Sequence, residues 1–140
     1  ISAKLGIDFA IAAPKKYWPT DEVVAESKEI AAQTGCSVTV TEDVIEAVKD
    51  ADAVYSDVWT SMGQEAENEL RLKEFEGYQV NEELVKHAKP DYVFMHCLPA
   101  HRGEEVSAGV IDGPNSVVFE QAGNRLHAPP SPFLFVSVNV

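Results

Sequence analysis

Asp91-Tyr92-Val93-Phe94-Met95-His96-Cys97-Leu98-Pro99 decides the fold class of this chain of 140 residues. A short run rich in β-branched and aromatic residues, closed by a proline, reads as a buried strand. The imidazole and the thiol at its end then stand on the rim of a sheet, where open α/β folds bind small molecules. Asp57-Val58-Trp59-Thr60-Ser61-Met62-Gly63 ends a second apolar run in the same way. With Glu120-Gln121-Ala122-Gly123-Asn124-Arg125 downstream, three strand ends are expected to converge on one rim.

Outward from that rim the chain alternates between two periods. Asp8 to Ala13 is an apolar run stopped by Pro14, the profile of a strand buried on both faces. Thr20 is placed to cap a helix with Asp21 and Glu22 in its first turn. Val23, Val24, Ser27, Ile30 and Ala31 form its inner stripe, and Gly35 ends it. Ser37 to Thr41 alternates as a strand, and Asp43 with Glu46 reads as a capping box opening a short helix to about Lys49. Ala53 to Asp57 is the next strand. Asn81 caps a helix with Leu84, Val85 and Ala88 on its apolar side, closed by Pro90. After the strand ending at His96, the turn Asp112 to Asn115 introduces a last strand over Ser116 to Glu120. Strands alternating with helices predict a single α/β domain, a doubly wound parallel sheet with helices on both faces.

Composition narrows the function. At 45% hydrophobic and 24% charged residues the chain is ordinary for a globular domain, and no apolar run approaches the ~20 residues that span a bilayer. No membrane partner is expected. A formal net charge of −12 argues against a nucleic-acid partner, which needs clustered cations, and otherwise serves solubility. Glu65, Glu67, Glu69, Glu74 and Glu76 concentrate that charge in one stretch, read as a solvated helix and loop. Cys36 and Cys97 are too few for a disulfide framework, which favours a reducing, cytoplasmic setting, and Cys36 reads as a small buried residue. Ile1 to Gly6 lacks the pattern of a signal peptide and reads as the tail of a helix cut from something longer. His87, His101 and His127 lack metal-ligand spacing, so no metal site is expected.

Taken alone, the rim residues leave several readings open. Asp57 is a counter-charge for an ammonium group or a turn cap. Cys97 is a polar contact for an amine, an inert buried thiol, or a covalent nucleophile. Ser61 and the Met62 amide, in a turn kept tight by Gly63, suit a carboxylate. Arg125 offers a planar donor fork for a carbonyl or phosphate oxygen, or makes a surface ion pair. His96 reads as a structural strand-end histidine rather than a base, and Trp59 as loop packing.

In combination, Asp-x-Trp-x-Ser-Met-Gly and His-Cys-Leu-Pro, with the order of elements from about Lys4 to His127, resemble the ornithine-binding domain of ornithine carbamoyltransferases. The resemblance implies a Rossmann-like fold and the reaction of carbamoyl phosphate with L-ornithine to give L-citrulline and phosphate, a step of arginine metabolism that needs no cofactor. It places Cys97 and the Leu98 backbone beside the reacting amine and carbamoyl group, and gives Asp57, Ser61 and Met62 to ornithine. Arg125 goes to carbamoyl phosphate, so Cys97, Asp57 and Arg125 are the expected catalytic residues. It also implies a homotrimeric parent assembled largely through a carbamoyl phosphate domain, whose Ser-x-Arg-Thr and His-Pro-x-Gln strings do not occur in these 140 residues. The oligomeric state of this chain is left open.

Two departures matter. The Asp-Gly-Asn-Asn segment of that domain's first strand is absent, and Pro129-Pro130-Ser131-Pro132 replaces the expected long helix with a strand-like tail, Phe133 to Val140. Residues 1–128 therefore read as the ornithine-binding domain and 129–140 as an atypical tail, which either supplies a strand to the vacant position or stays exposed. The expected function is a half-site with little or no turnover alone. The alternatives are a non-catalytic binding module, or a carbamoyltransferase for a related amine or an acylated ornithine.

Overall fold

Residues 1–60 and 67–127 are described by a computed structural model. Four parallel strands alternate with helices: β1 (Phe9–Ala12), α1 (Asp21–Thr34), β2 (Val38–Thr41), α2 (Val44–Val48), β3 (Ala53–Ser56), α3 (Asn68–Glu74), β4 (Val93–His96), α4 (Ala108–Ile111) and α5 (Val118–His127). The α/β class and the parallel pairing are as expected. β1 pairs with β2 from Phe9 opposite Val38 to Ala12 opposite Thr41, and β3 with β4 from Ala53 opposite Val93 to Ser56 opposite His96.

The sheet is split. β1 and β3 share no hydrogen bonds, and a cavity of about 350 Å³ lies between them, lined among others by Ala10, Ala12, Val54, Ser56 and Asp57. No strand among the described residues fills that slot. The expectation that β1 is buried on both faces therefore fails at its start, where Phe9 is 43% exposed. The idea that the tail supplies a strand falls on 129–140, outside the described residues.

Local chemistry explains most boundaries. The Thr20 hydroxyl accepts from Val23 N, and Gly35 closes α1 at φ 79°, a left-handed conformation that glycine adopts without strain. Asp43 caps α2 by accepting from Ile45 N and Glu46 N, whereas the Glu46 carboxylate takes the Thr41 hydroxyl and leaves the reciprocal half of a capping box unmade. Val23 falls off the inner stripe of α1 and is 52% exposed. Cys36 is half-buried beside the Thr34 hydroxyl rather than enclosed.

Two expected elements change. Asn81 does cap, accepting from Glu83 N and Leu84 N, but only one 3₁₀ turn follows, Leu84–His87. Ser116–Glu120 is not a strand: Ser116 makes a single parallel bridge to Phe94, and the chain then coils into α5. Val118 and Phe119 open α5, with Val118 2% exposed against the core and Phe119 76% exposed.

The main core lies under β3 and β4. Val48, Val54, Val80, Phe94, Val106, Val110, Ile111 and Val118 form one cluster there, with Phe94 and Val106 fully enclosed.

Candidate active site

Parallel pairing of β3 with β4 brings their ends level, so Asp57 and Cys97, one residue past each strand, become neighbours. The Cys97 thiol donates to Asp57 Oδ1 at 2.8 Å, and the same oxygen accepts the Val58 N–H at 2.7 Å. Asp57 is exposed and Cys97 half-buried, so the pair forms part of an accessible rim. Burial, and then the hydrogen bond to and negative charge of Asp57, push the Cys97 thiol above the ordinary cysteine range. At neutral pH the sulfur therefore carries its proton and offers lone pairs to an amine.

The His96-Cys97-Leu98 segment is fixed from behind. His96 N–H donates to the Gln121 side-chain oxygen at 3.0 Å, and Leu98 N–H donates to His96 Nδ1 at 2.9 Å. Since Nδ1 accepts, the ring proton lies on Nε2, 3.3 Å from Glu105 Oε1, with both side chains fully buried. His96 is thus a structural histidine, as expected. Leu98 has φ 55°, a left-handed conformation that costs a branched residue roughly 1 kcal/mol, and the Leu98–Pro99 peptide is cis. The loop is held by its hydrogen bonds.

Upstream, Trp59 packs the loop as expected, stacking on Phe75 with ring centroids 5.5 Å apart, and Arg71 donates to the Trp59 carbonyl at 2.9 Å. Thr60 donates to Asn68 Oδ1. Glu74 accepts from Lys16 and Tyr17, which ties α3 to the turn after β1. Ser61 and Met62, the expected carboxylate ligands, lie outside the described residues.

Arg125 is a correction to the convergence of three strand ends. It lies on α5, exposed, one helical turn beyond Gln121, with no hydrogen bond to Asp57 or Cys97. The structure unites Asp57, Cys97 and Leu98 and leaves Arg125 on the adjoining helix.

Three residues went unread in the sequence. Tyr55 lies close to Cys97 and Gln121, and its phenol is pushed upward mainly by burial and then by Cys97. Its place two residues before Asp57 on one strand was the available signal, since strand side chains repeat every second residue. Gln121 lies in the Glu120 to Arg125 segment, where nothing in the sequence marks it as the acceptor for His96 N–H. Glu105, adjacent to Glu104 in sequence, is fully enclosed and lies between His96 and His101. No metal site is expected from the spacing of His87, His101 and His127, yet His101, Glu104 and Glu105 come together in one turn.

The described residues thus form an α/β scaffold of parallel strands with a thiol–carboxylate pair on adjacent strand ends. The chain belongs to the aspartate/ornithine carbamoyltransferase family, matching its Asp/Orn binding domain over residues 1–134. It is 64% identical over 135 residues to an ornithine carbamoyltransferase of Geobacillus stearothermophilus, covering 96% of this chain and 43% of that protein. The structure of the Pyrococcus furiosus ornithine carbamoyltransferase superposes with a TM-score of 0.83 at 60% identity, over 90% of this chain and 40% of that one. The anabolic enzyme of Campylobacter jejuni gives a TM-score of 0.87 at 37% identity, over 99% of this chain and 46% of that one. The chain thus spans about two fifths of the length of these relatives.

Proposed function

We propose that this chain is the ornithine-binding half of an ornithine carbamoyltransferase, contributing to the conversion of carbamoyl phosphate and L-ornithine to L-citrulline and phosphate. The observation that carries the reading is the 2.8 Å contact between Cys97 Sγ and Asp57 Oδ1 at neighbouring strand ends.

The reaction needs a neutral δ-amine whose lone pair attacks the carbamoyl carbon, with loss of a proton from nitrogen and departure of phosphate. The protonated Cys97 sulfur accepts an N–H of that amine and turns its lone pair toward the electrophile, while the Leu98 backbone lines the same place. Asp57 uses Oδ1 for the thiol and Val58, and its Oδ2 is directed to the α-ammonium group. Ser61 and the Met62 amide take the α-carboxylate. Arg125, one turn past the rim on α5, reaches toward the carbamoyl phosphate oxygens. The donor's phosphate clamp belongs to sequence that these 140 residues do not contain, so the chain alone binds ornithine weakly and turns over little.

Calorimetry with L-ornithine tests this. Weak binding lost in Cys97→Ser and Asp57→Ala is expected, with citrulline formation near background. Ornithine binding that is absent, or indifferent to both substitutions, would overturn the reading and favour a non-catalytic module. A strong preference for an acylated ornithine would redirect the substrate.

A further inference from the structure

The turn that follows the rim loop gathers three metal-ligating side chains outside the ornithine site. His101 Nδ1 lies 3.8 Å from Glu104 Oε2 and 3.9 Å from Glu105 Oε2, and one donor atom from each residue falls within 4.8 Å of the others. We propose that His101, Glu104 and Glu105 bind a divalent transition-metal ion, with Zn²⁺ as the representative ion.

A buried orphan atom carries the argument. Glu105 is fully enclosed, and its Oε2 has no hydrogen-bond partner. Buried carboxylate oxygens are normally satisfied, so one left bare and facing an imidazole nitrogen and a second carboxylate needs an explanation. A cation between the three supplies it. The other oxygen, Oε1, is occupied by the His101 N–H at 2.6 Å and lies 3.3 Å from His96 Nε2, so the carboxylate is oriented from behind as metal-binding carboxylates are.

The turn is also built before any ion arrives. Gly103 N–H donates to Val106 O and Glu104 N–H to His101 O. The Gln79 side chain donates to the Gly103 and Glu104 carbonyls, and Val80 N–H to the Glu105 carbonyl. Zinc–nitrogen and zinc–oxygen bonds of about 2.1 Å put tetrahedral ligands about 3.4 Å apart, so the observed spacings close with small side-chain rotations. One imidazole and two carboxylates, with a side open through half-exposed His101, suit zinc-like ions better than calcium or magnesium, which prefer all-oxygen shells. Neighbouring Arg102 does not compete, because its guanidinium is held by Asp112 at 2.8 and 2.7 Å. The ion would lie on the far side of Glu105 from His96, linked through that carboxylate to the segment bearing Cys97.

The test must separate this turn from the two thiols. Untagged chain carrying Cys36→Ser and Cys97→Ser is titrated with Zn²⁺ by calorimetry and in competition with a chromogenic chelator. One ion per chain is expected, bound roughly tenfold or more weakly after His101→Ala and detectably more weakly after Glu104→Gln. Both positions are partly exposed, so circular dichroism should show folded variants, and Zn²⁺ should raise the melting temperature of the parent but not of His101→Ala. Absence of Zn²⁺ binding up to millimolar concentration, affinity unchanged by His101→Ala, or binding found only when Cys97 is present would each overturn the proposal.

Discussion

Glu105→Ala tests the inner scaffold of the site most directly. In the native chain this carboxylate is fully buried, accepts the part-buried His101 N–H at 2.6 Å and faces His96 Nε2 at 3.3 Å. Truncation leaves the part-buried His101 amide without its acceptor, costing about 2 kcal/mol, and removes the carboxylate 3.3 Å from His96 Nε2, which has no other partner, costing about 1 kcal/mol. Loss of the one buried methylene, Cγ, adds about 1 kcal/mol. The expected loss of about 4 kcal/mol is a large part of the roughly 5–15 kcal/mol that stabilises a domain. With a urea slope near 2 kcal/mol/M, the unfolding midpoint followed by circular dichroism should fall by about 2 M. Glu105→Gln keeps an acceptor for His101 N and should lose about 1 kcal/mol. A Glu105→Ala midpoint within about 0.5 kcal/mol of the parent at unchanged slope would refute the reasoning, since that is the scale of a neutral surface change.

Cys97 should react with iodoacetamide along a pH profile displaced upward from an ordinary thiol, because burial and the Asp57 charge both disfavour the thiolate. In a Cys36→Ser background, Asp57→Asn removes the charge, so alkylation at mildly alkaline pH should become faster; a slower rate contradicts the assigned electrostatics. Phe94→Ala, at a site with no exposed surface, should cost about 3–5 kcal/mol in urea unfolding, and a cost near 1 kcal/mol would mean that the β3–β4 core is loosely packed. Asp43→Ala removes the acceptor for Ile45 N and Glu46 N and should cost about 1 kcal/mol, whereas Asp43→Ser should recover most of it.

Legibility followed the range of the forces involved. Local signals worked: Thr20, Asp43 and Asn81 cap where they were expected to, and Asp57 meets Cys97 because two parallel strands of similar length end together. Tertiary signals did not. Val117-Val118-Phe119 has strand composition and even a strand-like change from buried Val118 to exposed Phe119, yet only Ser116 bridges to Phe94 and the chain from Val118 coils into α5. Glu105 sits beside Glu104, and nothing local in the sequence distinguishes the enclosed one from its neighbour. Its enclosure depends on the bridge between Val80 and Val106, which joins segments distant in sequence.

The split between β1 and β3 leaves the two halves of the domain unequally supported. On the β1–β2 side, Ala3, Ala13 and Ala31 are the buried apolar residues among those described, and small side chains remove little surface from water. On the β3–β4 side, eight larger residues form one cluster beneath the strands that carry Asp57 and Cys97. The rim is therefore organised by the half that is well packed, and the open slot perturbs it only through Asp57, which lines both. What crosses between the halves is the group formed by Lys16, Tyr17, Glu74 and Phe75, together with α2, which packs against β1 and β2. Those contacts locate the turn after β1 relative to Trp59, two residues from Asp57, without supplying backbone pairing between β1 and β3. The half-site can thus keep the geometry of its thiol–carboxylate pair although, among the described residues, no strand pairs with the inner edge of β1.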